Sequence, residues 1–376
     1  MYLALREMRR AKTRFGLLVS AVGLLVFLIL TQQALQDGLI TSFVGAIRQQ
    51  SAPVLVYSTD GQKTLQGSVI PPPLEEVIRA VDGVGAAGRI GQGTFTVLVE
   101  GDGATSDAAV IGAEDAGLGG VRDIDEGRPA EAPGEAVGSA ADFSVGDRVR
   151  IVPVGVPEGE GPELEVVGVV AEGQLQVTPT LFTSYADYEA AARAANPDAA
   201  GILPNVIGLR PAGDTTAAEL AEAVNATSED AEALTREQAA TETPGVGQVR
   251  QSFQVIFLLY GLVIPLVTGL FFLIVTFQKS ASLTLLRAVG VESGTLVRSL
   301  LVQVVVVVGG GLLIGTALHW PLSQQTVGAI VLRFDPVAVA VWSLLLLALG
   351  LLSALVAARR VLRIDPIEAT TGGGGR

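Results

Sequence analysis

Charge is absent from four long stretches of the chain. No Asp, Glu, Lys or Arg lies between Arg14 and Asp37, between Arg250 and Lys279, or between Asp335 and Arg359, and a longer uncharged run extends from Ser299 to Leu332. A helix needs about 20 apolar residues to cross the hydrocarbon of a bilayer. Three of these stretches therefore predict spans at 15–36, 251–278 and 335–358. In the fourth, His319, Trp320 and Pro321 interrupt the apolar run. That span is predicted to end near Leu318, at 299–319, followed by a short outer loop at 320–334. Pro265 predicts a kink in the second span, which neighbouring helices can accommodate.

Between the first and second spans the pattern changes to short alternating and periodic segments. Strands are predicted at Val54–Tyr57, Thr94–Glu100, Ala108–Gly112, Arg148–Val152, Glu165–Val170 and Asn205–Arg210. Helices are predicted at Pro73–Val81, Tyr185–Ala195, Thr215–Val224 and Glu229–Ala239. Pro- and Gly-rich joints at Pro71-Pro72-Pro73, Gly127–Gly134 and Val156–Pro162 separate them, and Pro244, Gly245 and Gly247 form the joint back to the apolar part. The mixture predicts an α+β domain of more than one lobe at 37–250. The fold class expected is thus an α-helical membrane protein of four transmembrane helices in a one-plus-three arrangement, with a large α+β extracytoplasmic domain inserted between helices 1 and 2.

Charge orients the spans. Segments 1–14, 279–298 and 359–376 hold 12 basic and 4 acidic residues, leaving 13 of the 25 basic and 34 of the 38 acidic residues elsewhere. Short basic loops stay in the cytoplasm, and long domains cross regardless of charge. Both termini are predicted inside and residues 37–250 outside, in the cell membrane. In 1–14, Ala4, Met8, Ala11 and Phe15 share a helical stripe with the basic residues largely off it, which predicts an amphipathic helix at the inner interface. A cleaved signal peptide is the rival reading of the first span, but no small-x-small cleavage site follows it. The net charge of −13 sits in the outer domain and argues against nucleic acid as a partner. There are no cysteines, which excludes disulfides, zinc–thiolate sites and thiol nucleophiles, and the 22 Arg against 3 Lys reflect base composition rather than mechanism. The low-complexity tail Gly372–Gly375 has no predicted order.

Few motifs suggest an enzyme. No G-x-x-x-x-G-K-[ST], G-x-S-x-G or H-E-x-x-H occurs, and the one histidine is His319. At the outer end of a span beside Trp320, its ordinary role is interfacial polarity; the sharper alternative is a metal or haem ligand. No bound metal is otherwise expected. Gly88-Arg89-Ile90-Gly91-Gln92-Gly93 has the wrong order for a dinucleotide loop, and it precedes a predicted strand. Asn225-Ala226-Thr227 is a glycosylation triplet of the kind that arises by chance. Gly311 and Gly315 form a G-x-x-x-G, which lets two helix backbones approach, either across a dimer or within the chain.

The loop between the second and third spans is the most informative. Leu283, Leu285, Leu286 and Val289 make a short apolar helical face with Arg287 off it and Gly290 able to stop it. Such a helix fits a groove on a soluble partner. Here the chain resembles the FtsX/MacB-type (type VII, mechanotransmission) ABC transporter permeases, whose coupling segment ends in Leu-Leu-Arg-Ala-Leu-Gly; Leu285 through Gly290 is the counterpart. The basic run Arg359-Arg360 to Arg363, then Asp365-Pro366-Ile367-Glu368-Ala369, resembles the family's cytoplasmic tail motif. The opening Ala4-Leu5-Arg6-Glu7-Met8-Arg9-Arg10 resembles its start. Gly138, Val145–Val149 and Val166–Val170 resemble its outer core. Gln278-Lys279-Ser280-Ala281-Ser282-Leu283 in place of a charged stretch is similar to the DevC/HrtB-like branch.

The resemblance implies a permease dimer, homo- or heteromeric, with a separate ABC ATPase that binds ATP and magnesium. The chain itself would hold no cofactor. Leu283, Leu285, Leu286, Arg287, Ala288 and Gly290 would contact the ATPase, and an extracytoplasmic accessory protein would dock outside. Motion of the outer domain would drive export of a hydrophobic or amphiphilic substrate, haem among the candidates. The alternative is transmembrane signalling to an outer partner such as a cell-wall hydrolase, with no solute moved. An enzyme with an outer catalytic domain is the third reading, disfavoured by the missing histidines, cysteines and serine elbow.

Overall fold

The computed structural model describes residues 12–100, 103, 105–153, 161–199, 201–278, 293–327 and 330–362. The described chain falls into two units, a helical one drawn from Met1–Asp37, Gln251–Gln325 and Leu332–Arg376, and an α+β one drawn from Gly38–Arg250 and Thr326–Val331.

The helical unit is built from α1 (Lys12–Arg48), α7 (Val246–Gln278), α8 (Ser293–Leu322) and α9 (Pro336–Leu362). α1 and α7 also contribute residues to the α+β unit. Three described helices, Lys12–Arg48, Val297–Leu322 and Pro336–Ser353, are long and apolar enough to cross a membrane. α7 is a 33-residue helix over the second predicted span. The core of this unit joins Phe15, Leu18, Val22, Val26 and Ile29 of α1 to Val304, Val307 and Val308 of α8 and Leu346 of α9. Many of the remaining leucines and valines face outward, as Leu258, Leu262, Leu266 and Leu270 do at successive turns of α7. Outward apolar side chains are what a lipid solvent requires. Two helices run past the ends of the predicted spans. α1 continues beyond residue 36 to Arg48, its last turns burying Val44 and Ile47 in the α+β core. α8 carries Pro321 within its last turn and reaches Leu322.

The α+β unit centres on one mixed sheet. In chain order its elements are β1 (Val54–Ser58), α2 (Pro72–Arg79), β2 (Val84–Val99), β3 (Thr105–Ala113), α3 (Ala116–Gly119), β4 (Glu126–Gly127), β5 (Glu135–Ser139), β6 (Arg148–Ile151), β7 (Glu163–Val170), β8 (Thr180–Ser184), α4 (Tyr185–Ala195), β9 (Val206–Pro211), α5 (Ala217–Thr227), β10 (Ala231–Thr235) and α6 (Arg236–Glu242). The strand order is β10-β1-β9-β2-β3-β8-β5-β7-β4, with β6 pairing β2 and β7. β3/β8 and β5/β7 are parallel pairs. The long β2 is the seam. Its first half pairs β9 and its second half pairs β3 and β6, so it belongs to two lobes of sheet at once. A short ladder of β11 (Thr326–Val327) and β12 (Ile330–Val331) completes the described elements.

Three apolar clusters hold this unit. One lies under α1 and α6, with Leu55, Tyr57, Ile111 and Phe182. A second packs α2 and α5 on Val54, Val56, Ile207 and Leu209. A third packs α4 on Val97, Val110, Val166 and Leu181. Local signals set the helix starts. Ser184 caps α4, and Thr216 with Glu219 and Thr235 with Gln238 form capping boxes for α5 and α6. The chain enters and leaves the sheet side by side. Val54 of β1 pairs Thr235 of β10, and Arg236 donates from its backbone to Pro53 O at 3.0 Å and from its guanidinium to Gln50 O at 2.9 Å.

The helix expected at Glu229–Ala239 is instead strand β10 followed by α6. Ala231 and Ala233 face one cluster and Leu234 the other, so the period-2 burial of a sheet partner of β1 overrides helical propensity. Gly88–Gly93 does not precede a strand but lies inside β2.

Candidate functional site

The residues expected to contact an ATPase, Leu283, Leu285, Leu286, Arg287, Ala288 and Gly290, lie outside the described residues, as do Asp365, Pro366 and Glu368 of the tail. Arg359 and Arg360 fall in the last turn of α9.

In the helical unit the G-x-x-x-G glycines of α8, Gly311 and Gly315, face α1. A Cβ added at Gly311 would sit 2.5 Å from Val22 Cγ1, and one at Gly315 would sit 2.6 Å from Val26 Cβ and 2.7 Å from Gly23 O. Gly23 meets them from the other side, where an added Cβ would lie 3.1 Å from Ile314 Cγ2 and 3.3 Å from Gly311 O. Three glycines thus bring the two backbones together, with Val22 and Val26 filling the space that side chains on α8 would take. Gly23 was not singled out from the sequence. A single glycine in a span carries no pattern until its partner is known.

His319 is buried against its neighbours in the helical unit. It is 2% exposed, its Nδ1 is 3.4 Å from Thr31 Oγ1 of α1, and its ring lies 6.1 Å from that of Phe334. Trp320 takes the exposed place instead, at 53%, with its ring edge-on to Phe334 at 4.9 Å. The side chains alternate around the helix end, and the larger amphipathic ring is the one left outside. Among the described residues no group of three His, Cys, Asp or Glu could hold a metal ion.

The α+β unit contains a cavity of about 390 Å³. Val137 of β5 and Phe182 of β8 form its floor, and Val121, Ile124 and the segment 129–133 form its walls. Four of its lining side chains are polar: Glu114, Glu131, Thr183 and Ser184. A second hollow of about 490 Å³ lies between the start of α2 and the turns at Ser58–Asp60 and Ser228–Asp230. Neither was legible in the sequence. The Pro129–Pro133 segment reads only as a joint, because its opposing wall comes from strands about 50 residues later.

An ion network fixes α2 to the sheet beside the cavity. Glu75 is 5% exposed and accepts from Arg89 Nε at 2.8 Å and Arg79 Nε at 2.9 Å, while Glu114 accepts from Arg79 Nη2 at 3.2 Å. Burial alone would raise the Glu75 carboxyl, but the hydrogen bonds from the two guanidiniums outweigh it and hold it below the usual range. Arg89 is raised in return, first by its hydrogen bond to Glu75.

No family model matches the chain. It is 25% identical over 112 residues to the hemin transport system permease protein HrtB of Staphylococcus epidermidis, which is 30% of this chain and 32% of that protein. The match thus spans about a third of the relative's length. Among solved structures, the periplasmic region of MacB from Actinobacillus actinomycetemcomitans covers 51% of this chain and 92% of that one, at 12% identity and a TM-score of 0.34. The extracellular domain of the noncanonic ABC-type transporter YknZ from Gram-positive bacteria covers 48% and 99%, at 13% identity and a TM-score of 0.31. By sequence, the chain is similar to the permease HrtB over that third of its length.

Proposed function

We propose that the chain is the membrane subunit of an ABC transporter, driven by ATP hydrolysis on a separate subunit. The observation that carries this reading is the order of elements: one long apolar helix before the α+β unit and three long helices after it. The cytoplasmic Leu285–Gly290 motif and the similarity to a permease of a hemin transport system support it. Both termini and the loop 279–298 face the cytoplasm in this reading, and 37–250 faces outward. ATP binding closes a pair of partner ATPases. The helix near Leu283–Gly290 receives that motion, and two copies of this chain relay it to their outer domains. The substrate is hydrophobic or amphiphilic, and the name of HrtB makes hemin the first compound to try.

The test is affinity purification of the chain from its native membrane. A small ATPase subunit should co-purify at equal stoichiometry, and hemin should stimulate its ATP turnover. Leu286→Asp should insert and assemble normally but lower stimulated turnover by about tenfold or more, since a charge replaces the apolar docking face. Normal turnover in that variant, or the absence of any ATPase in several detergents, would overturn the assignment in favour of a receptor or scaffold.

A further inference from the structure

We propose that the cavity of the α+β unit binds a small organic cation with an apolar body. At about 390 Å³ it falls within the size range of small-molecule sites, roughly 300–1,000 Å³. Its floor is apolar, with Val137 and Phe182 each 3% exposed. Its polar side chains leave only negative charge to offer. Thr183 Oγ1 donates to Glu135 O at 2.8 Å, and Ser184 Oγ donates to Asp187 Oδ2 at 2.6 Å, so both hydroxyls are engaged. Glu114 is neutralised by Arg79 and accepts from Arg89 N at 2.9 Å. Glu131 is exposed and accepts no side-chain hydrogen bond among the described residues; the nearby Arg128, which it attracts, is committed to Glu135, and no Lys, Arg or His is among the described lining residues. A carboxylate beside an apolar chamber suits an aromatic or alkyl ammonium ion.

The wall that carries Glu131 is fixed in place. Arg128 and Glu135 pair at 2.5 Å, and Glu135 Oε2 accepts from the backbone of Glu131 at 3.0 Å and of Ala132 at 3.1 Å. Gly134 N donates to Asp187 Oδ2 at 3.1 Å, which ties the same segment to α4. A preformed wall avoids the ordering cost that weakens binding to loops. The same charge disfavours a dicarboxylate such as hemin, so the site is independent of both the ATPase reading and the hemin reading.

The experiment uses the full chain in nanodiscs, with benzyltriethylammonium as the probe followed by calorimetry. Saturable binding is expected to the wild type, none to phenylacetate or hemin at the cavity, and weaker binding at high salt. Glu131→Gln should weaken binding about three- to fivefold, the range of a solvent-exposed charge contact. Ala132→Trp should abolish it by filling the chamber, with thermal melting as the check on folding. If Ala132→Trp does not fold, the Glu131→Gln ratio decides. No saturable binding to the wild type, equal binding of phenylacetate, or unchanged affinity in either folded variant would overturn the proposal. A failure to stimulate ATP turnover would bear on the transporter reading and not on this site.

Discussion

Gly91 and Gly112 stand directly opposite each other in the β2/β3 ladder, and the Tyr188 side chain covers both, its ring over Gly91 and its Cβ over Gly112. No side chain larger than hydrogen fits beneath it at either position. The Tyr188 hydroxyl adds only long contacts, 3.3 Å to Gln92 O and 3.4 Å to Asn205 Oδ1. The shape of the contact therefore matters more than its polarity. Gly112→Ala should cost about 1–3 kcal/mol through overpacking, whereas Tyr188→Phe should cost less than about 1 kcal/mol. Denaturant melts of the two variants compare them, and a larger loss from Tyr188→Phe would refute the ranking. The sequence displayed Gly91 within a run that resembled a loop, and Gly112 at the end of a predicted strand. Glycine inside a strand marks close approach of another element, but which element approaches is a long-range fact. Tyr188 lies almost a hundred residues downstream, and nothing local links it to Gly91.

Among the elements, the glycine contact of α1 with α8 makes the sharpest demand. Gly315→Leu should push the helices apart at Val26, destabilising the helical unit by about 1–3 kcal/mol or more. Leu313→Ala on the same helix should change little, because Leu313 is 75% exposed and points away from the contact. Thermal melting in detergent separates the two, and equal effects would mean that α8 does not seat on α1 through its glycines. The spacing Gly311-x-x-x-Gly315 was readable from sequence as a packing face; its partner on α1 was not. The strands show the same division. Arg148–Ile151 was legible by apolar alternation, and Val54–Ser58 as a short continuous apolar run. Glu135–Ser139 and Thr180–Ser184 were not, since strands covered on both faces lose the alternation that betrays them. In Glu229–Ala239, alanine and glutamate suggested a helix, and pairing with β1 decided otherwise.

At the scale of the molecule, composition gave the membrane class and the α+β insertion, while cavities and ion networks required the tertiary structure. Charge sets one measurable property of the α+β unit. The Glu135 carboxyl is held down at about 2, first by Arg128 and then by the amides of Glu131 and Ala132, and Glu219 is lowered by its bonds to Thr216. Glu75 is lowered as well. Groups with depressed folded values stabilise above the unfolded carboxylate value of about 4.3 and lose that contribution as pH falls. Thermal stability should stay level from about pH 7 to pH 5 and decline only below about pH 4.3; a decline that begins above pH 6 would contradict this. One further consequence follows from the pairing of Val54 with Thr235 and the Arg236 staple across Pro53 and Gln50. A segment whose two ends meet on adjacent strands is a cassette. Evolution can exchange such a cassette between helical scaffolds as a single insertion, keeping the helices while replacing the domain they carry.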